Sequence, residues 1–286
     1  MIIGDLIYRS LSSSFRNYHF LSWQRRGTAL VKLKKYDEAI DRYDRAIKLQ
    51  PNNPLIWRKR GFALQELKRN EEALDCFDRA IELDPDNSWV WGHRGFVLQR
   101  LKRYEEALDC FDRAIELETN DSNASWVWGK RGYVLQELKR YEEALVCFER
   151  AIELDPNGSD ISWVWGQRGI TLRDLKRYEE AVDCFDRAIE LEPNGSDISW
   201  VWKNWGFVLQ KLKRYEEALV CFDRAIELGP DGSNASWVWG KRGYVLLNLK
   251  RYEEALDCFD RAIELDPNGS DISWVRLNRG IALQLK

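Results

Sequence analysis

Apolar residues recur along this chain in pairs of short segments, each with the periodicity of a helix. The copy that begins near residue 125 shows the pattern clearly. Its first segment places apolar or small residues three or four positions apart, so that they share one helix face. These positions are Trp128, Gly132, Leu135 and Leu138. The spacing predicts a first helix that ends near the basic pair Lys139-Arg140.

The second segment of the same copy predicts an amphipathic helix that starts near Tyr141. Glu142 and Glu143 lie in its first turn, where carboxylates interact favourably with the helix dipole. Its buried face is predicted from four positions, which are Ala144, Phe148, Ala151 and Ile152. The turn at Asp155-Pro156 ends the helix. Asp160 then lies near the start of the following helix, where we expect its side chain to cap.

This two-helix pattern repeats through almost the whole chain. Eight glycines mark equivalent positions and are spaced 34, 34, 37, 37, 37, 37 and 37 residues apart. They are Gly27, Gly61, Gly95, Gly132, Gly169, Gly206, Gly243 and Gly280. Because one helix pair cannot bury both of its faces alone, the pairs are predicted to stack on one another. The sequence therefore predicts one continuous array rather than two ordinary domains.

The array is predicted to hold seven complete repeats and a half-repeat that reaches Lys286. The repeats lie near residues 20–53, 54–87, 88–124, 125–161, 162–198, 199–235 and 236–272, and the half-repeat near 273–286. Residues 1–19 do not fit the pattern and form an N-terminal extension. Its stripe of Ile3, Ile7, Leu11 and Phe15 is consistent with a short helix that caps the first repeat.

The order of residues within each copy resembles the tetratricopeptide repeat (TPR). Tryptophan, glycine, leucine, alanine, aromatic, alanine and proline occur at Trp128, Gly132, Leu135, Ala144, Phe148, Ala151 and Pro156. The resemblance covers about residues 20 to 286. It implies an all-α, right-handed α-solenoid (superhelix) of antiparallel helix pairs. From the third repeat on, the loop between repeats is three residues longer than the family usually has.

An arginine stands in most repeats where the family often has leucine. These residues are Arg26, Arg60, Arg94, Arg131, Arg168, Arg242 and Arg279, and Trp205 replaces the arginine in the sixth repeat. On a helical wheel the position falls inside the apolar arc. We therefore favour a structural role, in which the guanidinium pairs with a carboxylate of a neighbouring second helix. The alternative is an arginine ladder that binds an acidic partner.

Composition narrows the possible functions. The 44 basic and 47 acidic residues nearly balance at −3, and this disfavours nucleic-acid binding. Two histidines leave little for metal or acid–base chemistry, and no phosphate-binding loop or nucleophile motif occurs. We expect a non-enzymatic protein without cofactor or metal. No apolar run is long enough to span a membrane, and the N-terminus lacks a basic leader, so the prediction is a cytoplasmic location.

The six cysteines occupy one equivalent position in successive second helices, just before the aromatic residue. They are Cys76, Cys110, Cys147, Cys184, Cys221 and Cys258. Packed helices lie about 10 Å apart, which exceeds the distance of about 7 Å that a disulfide can bridge between Cα atoms. No histidine recurs beside them. These cysteines are therefore interpreted as small apolar residues in a seam between helices.

Variation among the repeats concentrates on one face of the first helix, opposite the signature tryptophan. A second tryptophan series, two residues before the signature position, lies on the same face. In the TPR family the first helices line the concave inner face, so the resemblance implies a peptide-binding groove here. The candidate residues are Trp89, His93, Phe96, Trp126, Lys130, Tyr133, Gln136, Trp163, Gln167, Arg173, Trp200, Asn204, Phe207, Trp237, Lys241 and Tyr244.

Two interpretations of the second tryptophan series stay open. The rings are rigid amphipathic side chains of the kind that anchor interfaces, or they pack against an adjacent repeat and stiffen the longer loop. The family's carboxylate clamp for acidic C-terminal peptides is not expected, because Phe62, Phe96 and Tyr133 stand where its asparagine would be.

The sequence thus predicts a protein–protein interaction scaffold that binds an extended peptide or partner helix in the concave groove. One alternative is a regulatory or assembly domain of a larger protein or enzyme. Another is self-association through the C-terminal end, where Ile281, Leu283 and Leu285 have no following helix to pack on.

Overall fold

In the described residues, the chain folds entirely into helices and short connections. A computed structural model describes residues 2–117, 122–193, 198–229 and 235–286, with side chains described from residue 15 and, in the seventh helix, from residue 124. The helices are α1 Ile2–Lys32, α2 Tyr36–Leu49, α3 Pro54–Glu66, α4 Asn70–Leu83, α5 Ser88–Arg100, α6 Tyr104–Leu117, α7 Ser122–Glu137, α8 Tyr141–Leu154, α9 Ile161–Asp174, α10 Tyr178–Leu191, α11 Ser199–Lys211, α12 Tyr215–Leu228, α13 Ala235–Asn248, α14 Tyr252–Leu265 and α15 Ile272–Leu285.

These helices form two compact parts, Met1–Lys139 and Arg140–Lys286. Here they are called the N-terminal half and the C-terminal half. Within each half, a helix contacts its neighbours in chain order and, more sparsely, the helix two places away. Successive helices thus pair and stack, as the repeat pattern predicts for an all-α solenoid.

The second helix of each repeat has the amphipathic character that its sequence predicts. In α8, Ala144, Phe148 and Ala151 are fully buried, and Ile152 is half-buried. Cys147 is 1% exposed and belongs to the same buried face. Small residues on both sides of the phenylalanine let the backbones of packed helices approach one another.

The first helix buries only part of the predicted set, namely Gly132 and Leu135. In α7, Val127 and Val134 are buried together with Leu135, whereas Trp128 and Leu138 are only half-buried. The signature tryptophans lie toward the loop side instead. Trp57 Nε1 donates a hydrogen bond to the carbonyl oxygen of Pro51 at 2.7 Å, and Trp91 repeats this bond with Pro85 at 2.8 Å. The core of a first helix therefore centres on the residue before the signature tryptophan.

A lysine with a positive φ joins the two helices of every repeat. Lys34, Lys68, Lys102, Lys139, Lys176, Lys213 and Lys250 have φ values from 58° to 62°. After α3, Arg69 N donates to Leu64 O and Lys68 N donates to Gln65 O, each at 3.0 Å. This is the Schellman arrangement, in which a left-handed residue satisfies the last carbonyls of a helix. Here that residue is lysine instead of the usual glycine.

Two local expectations differ from the structure. The N-terminal extension continues without a break into α1, so it is not a separate short helix. Phe15 in its predicted stripe is 68% exposed, and the other three residues lie outside the described side chains. Asp160 does stand at the N-cap of α9, but its side chain makes no capping hydrogen bond. The longer loop already supplies an acceptor, because Ile161 N donates to Gly158 O at 3.1 Å.

The cysteine prediction is confirmed, since all six are buried and unpaired with one another. Among the described residues, no group of histidine, cysteine or carboxylate side chains could hold a metal ion. The described part of the chain also has no helix that is long and apolar enough to cross a membrane.

Candidate functional site

The second tryptophan series packs across the seam between adjacent repeats. In the N-terminal half, the ring of Trp126 covers the preceding first helix at three positions. A Cβ atom added to Gly92 would lie 3.2 Å from this ring. The ring centroids of His93 and Phe96 lie 5.0 and 5.9 Å from that of Trp126. Glycine at position 92 therefore leaves the space that the indole fills.

His93 lies inside this aromatic stack. Its ring centroid is 3.7 Å from that of Trp89 on its own helix, and Trp126 covers it from the next repeat. Its Nδ1 lies 2.9 Å from Gln65 Oε1. Burial lowers the pKa of His93 to about 3, and the nearby charge of Arg58 acts in the same direction. The side chain is therefore neutral at physiological pH.

The C-terminal half repeats the arrangement with other residues. A Cβ atom at Gly166 would lie only 2.3 Å from the ring of Trp200. The centroid of Trp237 is 6.0 Å from that of Phe207, and the centroid of Trp274 is 5.6 Å from that of Tyr244. All of these tryptophans remain half-buried. Each ring thus packs on one side and keeps part of its surface in solvent.

A polar row runs beside these rings, two positions after each signature tryptophan. Lys241 Nζ lies 5.5 Å from the centroid of Trp237 and 3.8 Å from that of Trp274, so its ammonium group sits between two indoles. Asn204 accepts a hydrogen bond from Arg173 and donates one to Trp200 O at 2.7 Å. Gln167 and Asn204 are 8% and 6% exposed. These two amides are therefore buried in the polar row and offer little surface to a ligand.

The remaining candidates lie partly in solvent. Lys130, Tyr133, Gln136 and Trp163 are half-buried. Lys130 Nζ is 5.9 Å from the ring centroid of Phe96. Burial and the charge of Glu137 raise the pKa of Tyr133. These side chains are within reach of a ligand on the first-helix face of their own half.

Two lysines on the same face were not among the predicted site residues. Lys203 is half-buried, and burial together with the charge of Arg173 lowers its pKa. Lys211 Nζ lies 5.1 Å from the ring centroid of Phe207 and repels the charge of Lys241. Neither lysine takes part in an ion pair among the described residues. The sequence did offer one signal for this pair. Lys203 directly follows the signature tryptophan of its repeat, at the position where other repeats have a glycine such as Gly166.

Most of the arginine series lies away from this face and has the structural role that we favoured, whereas Arg26 in the first repeat is exposed. Arg60 Nε donates to Asp44 Oδ1 at 2.7 Å, and its Nη1 donates to Cys76 Sγ at 3.0 Å. Asp44 belongs to a second helix, as predicted, and this helix is that of the preceding repeat. Equivalent ion pairs join Arg94 to Asp78, Arg131 to Asp112, Arg242 to Asp223 and Arg279 to Asp260.

The sixth repeat shows what happens without the arginine. Trp205 stacks on Trp202 with a centroid distance of 5.3 Å. Burial, with a smaller contribution from Glu217, raises the pKa of Cys221 to about 12. At Cys76, by contrast, the charge of Arg60 opposes the effect of burial. Burial likewise raises the pKa of Cys110, Cys184 and Cys258, so these five thiols are protonated packing residues rather than nucleophiles.

Comparison with known families and structures agrees with this architecture. Family models for the tetratricopeptide repeat match residues 86–157, 123–193 and 197–268, and also 54–87, and a TPR repeat model matches residues 27–68. No curated protein has a sequence that matches this chain.

Several solved structures are similar to the chain. YrrB, described as a TPR protein with an unusual peptide-binding site, is 26% identical, with a TM-score of 0.52 over 68% of this chain and 95% of YrrB. The Cut9–Hcn1 assembly of APC/C is 16% identical, with a TM-score of 0.70 over 91% of this chain and 48% of the other. PilW, a type IV pilus biogenesis factor, is 18% identical, with a TM-score of 0.69 over 77% and 97%.

Proposed function

Because the chain belongs to the tetratricopeptide repeat family, we propose that it is a scaffold whose first-helix faces bind an extended peptide or a partner helix. A fold of this type is typically a non-catalytic interaction scaffold. The observation that carries the proposal is the ladder of half-buried tryptophans with lysines beside it. Rigid aromatic side chains with an exposed edge are the residues that most often anchor a protein interface. YrrB, at 26% identity, is a relative with a described peptide-binding site, which supports the same role.

Lysine and aromatic side chains alternate on the first-helix face of the C-terminal half. Phe207 and Lys211 lie one turn apart on α11, and Trp237 and Lys241 lie one turn apart on α13. A partner with apolar and hydrogen-bonding groups at successive positions would meet one anchor per repeat. Affinity would then be distributed over several moderate contacts.

The test uses charge reversal, because replacing a tryptophan would also remove packing in the seam. Peptides of about 15 residues, enough to span several helices, are first selected from a displayed library on the wild-type chain. Their dissociation constants are then measured by fluorescence polarisation. Lys203→Glu with Lys211→Glu should weaken a selected peptide by about tenfold or more, since two contacts to the ligand turn repulsive.

A matched control makes the same charge change elsewhere. Lys176→Glu with Lys213→Glu alters two exposed lysines in the turns between helices and should leave binding unchanged. Circular dichroism of both double variants should match the wild type. Equal loss of binding in the control pair, or full binding by the first pair, would show that the first-helix face is not the site.

The tryptophan ladder is tested separately. Trp126→Ala together with Trp163→Ala should weaken peptide binding while the helical content remains. We also expect a loss of stability in this variant, because the equivalent ring of Trp200 fills the space beside Gly166.

Self-association is a second candidate, favoured by the surface of α15. Leu277, Ile281 and Leu285 share one face of α15 and are 64%, 38% and 54% exposed, and Leu283 on another side of the helix is 51% exposed. No atom lies within 4 Å of a Cβ added to Gly280, whereas Gly243 meets a second-helix phenylalanine. A second copy of the chain could cover this apolar face. Light scattering at several concentrations would show a rising mass, and Leu277→Lys should abolish the rise.

A further inference from the structure

A cavity of about 360 Å³ lies on the first-helix face of the first repeat. Its lining residues are Gln24, Arg25, Thr28, Ala29, Lys32 and Lys59. All six belong to the N-terminal half, on α1 and α3. Three of them are cationic, two offer neutral hydrogen-bonding groups, and none is a carboxylate.

The cavity lies where the second tryptophan series is interrupted. In the third and fourth repeats, Trp126 packs over positions 92, 93 and 96 of the preceding first helix. The equivalent positions in the first repeat are occupied by Gln24, Arg25 and Thr28, which line the cavity. The residue equivalent to Trp126 is Leu55, whose side chain is much smaller than an indole. Space that an aromatic ring fills farther along the chain is therefore open in the first repeat.

The cations that line the cavity have no acidic partner in the part of the chain that the structure describes. Among the described ion pairs, none involves Arg25, Lys32 or Lys59. Lys59 Nζ donates instead to Thr28 Oγ1 at 2.8 Å. Burial lowers the pKa of Lys59, and the adjacent charge of Arg58 acts in the same direction. The site thus holds an excess of positive charge that a bound anion would neutralise.

We propose that this cavity binds a phosphate group, carried by a phosphorylated serine or threonine of the peptide partner. A phosphate monoester brings a charge of about −1.5 to −2 and three strong acceptor oxygens, which match three cations and the side-chain amide of Gln24. The Thr28 hydroxyl already donates to the carbonyl oxygen of Gln24 at 2.9 Å and helps to position Lys59. A single carboxylate would leave most of that charge unpaired. That the phosphate group is carried by a peptide rests on the function proposed above, because the cavity belongs to the same first-helix face as Trp89 and His93.

Binding can be measured with a minimal probe. N-acetyl-O-phosphoserine amide is titrated into the ¹⁵N-labelled chain, and the amide signals of Thr28 and Lys59 should shift saturably. Inorganic phosphate should shift the same signals. N-acetylserine amide and N-acetylglutamate amide should not bind measurably. Equal binding of the glutamate probe would overturn the assignment to phosphate. Flotation of the chain with phosphoinositide vesicles, without binding of the phosphoserine probe, would overturn the peptide source.

Two variants locate the site. Leu55→Trp introduces the residue that the chain itself uses at the equivalent positions, so it should fold, fill the cavity and remove phosphoserine binding. Lys59→Met should weaken binding about tenfold or more, because it removes a charged hydrogen-bond donor. The control Lys176→Met changes an exposed lysine in a turn of the other half, away from the first-helix face, and should bind as the wild type does. Wild-type affinity in Leu55→Trp and Lys59→Met would refute the proposal.

The phosphoserine titration tests the cavity independently of the measurements with library peptides. If the phosphoserine probe fails while library peptides still bind, the interaction scaffold stands and the phosphate site is wrong. If no library peptide binds while the phosphoserine probe binds at Thr28 and Lys59, the phosphate site is supported and peptide binding along the rest of the first-helix face is rejected.

Discussion

At the scale of single residues, the glycine of each first helix sets how closely the two helices of a repeat approach. A Cβ atom at Gly243 would lie 2.8 Å from Phe259 Cε1, and Gly61, Gly95, Gly169 and Gly206 face an aromatic ring in the same way. In the sequence these glycines are recognised only by their regular spacing. Their physical reason is the ring that packs on each one, which only the structure shows.

Gly243→Ala should lower the free energy of unfolding by about 1–3 kcal/mol, because the added methyl group overpacks the helix pair. Gly280→Ala is the matched control, since nothing lies within 4 Å of its added Cβ atom. It should raise the stability by about 0.5–1 kcal/mol through the higher helix propensity of alanine. Urea unfolding monitored by circular dichroism measures both. Destabilisation of equal size in the two variants would contradict the packing argument.

His93 makes stability depend on pH in a direction that follows from its surroundings. Its pKa is about 3 in the folded chain, against the ordinary value of 6.5. The unfolded chain therefore binds the proton first as the pH falls. The stability that neutral His93 contributes is complete above pH 6.5 and declines as the pH falls toward 3, by about 1.4 kcal/mol per pH unit.

The variant His93→Gln should lose less stability than the wild type between pH 7 and pH 5, by about 2 kcal/mol. Glutamine already occupies the equivalent position at Gln167, so it should fit. Urea unfolding curves at the two pH values measure the difference. His19→Gln, which replaces the other histidine, is the comparison variant. Identical acid sensitivity of His93→Gln and the wild type would mean that His93 is not held neutral.

At the scale of helices, the second helix of a repeat was easier to predict than the first. Its carboxylates lie on one side and its apolar residues on the other, so the pattern of α8 identifies the buried face directly. The first helix is covered by its own repeat and by the next one. As a result Val127, Trp126 and Arg131 all make packing contacts or lie in the interior, and no single apolar stripe marks the core.

The turn between the two helices holds a residue that is conformationally strained. A non-glycine residue at positive φ costs about 1–2 kcal/mol relative to the right-handed region. Lys176 has a φ of 62° and an exposed side chain. Nothing in the basic pair Lys176-Arg177 predicts this conformation from the sequence.

Lys176→Gly should therefore stabilise the chain by about 0.5–1 kcal/mol, which is the net effect of removing the strain and adding backbone entropy to the unfolded state. The midpoint of urea unfolding should rise. Lys176→Ala is the control, since it removes the same side chain but keeps the strain. A midpoint for Lys176→Gly at or below that of Lys176→Ala would contradict the prediction.

At the scale of the whole molecule, each helix depends mainly on its neighbours in chain order. Within the C-terminal half, α13 contacts α11, α12, α14 and α15, and it has no contact with α9 among the described pairs. A defect should then spread over a repeat or two instead of unfolding the whole half at once.

Phe259→Ala should test this locality. The side chain is fully buried in α14, and its loss costs about 3–5 kcal/mol. Amide hydrogen exchange, followed by mass spectrometry, should speed up strongly in α13 to α15 and little in α9 and α10. Faster exchange to the same extent in all of these helices would show global cooperativity instead.

The sequence by itself determined the helix pairs, their number, the family and the buried second-helix face, because these follow from local periodicity repeated seven times. It also favoured a structural role for the arginines, since their position falls inside an apolar arc, but the ion pairs to the preceding second helix had to come from the structure. Tertiary structure alone decided what the second tryptophans do. Trp200 and Gly166 lie 34 residues apart, and their contact depends on how two repeats stack. The same stacking leaves the space beside Thr28 and Lys59 open, because Leu55 is too small to fill it.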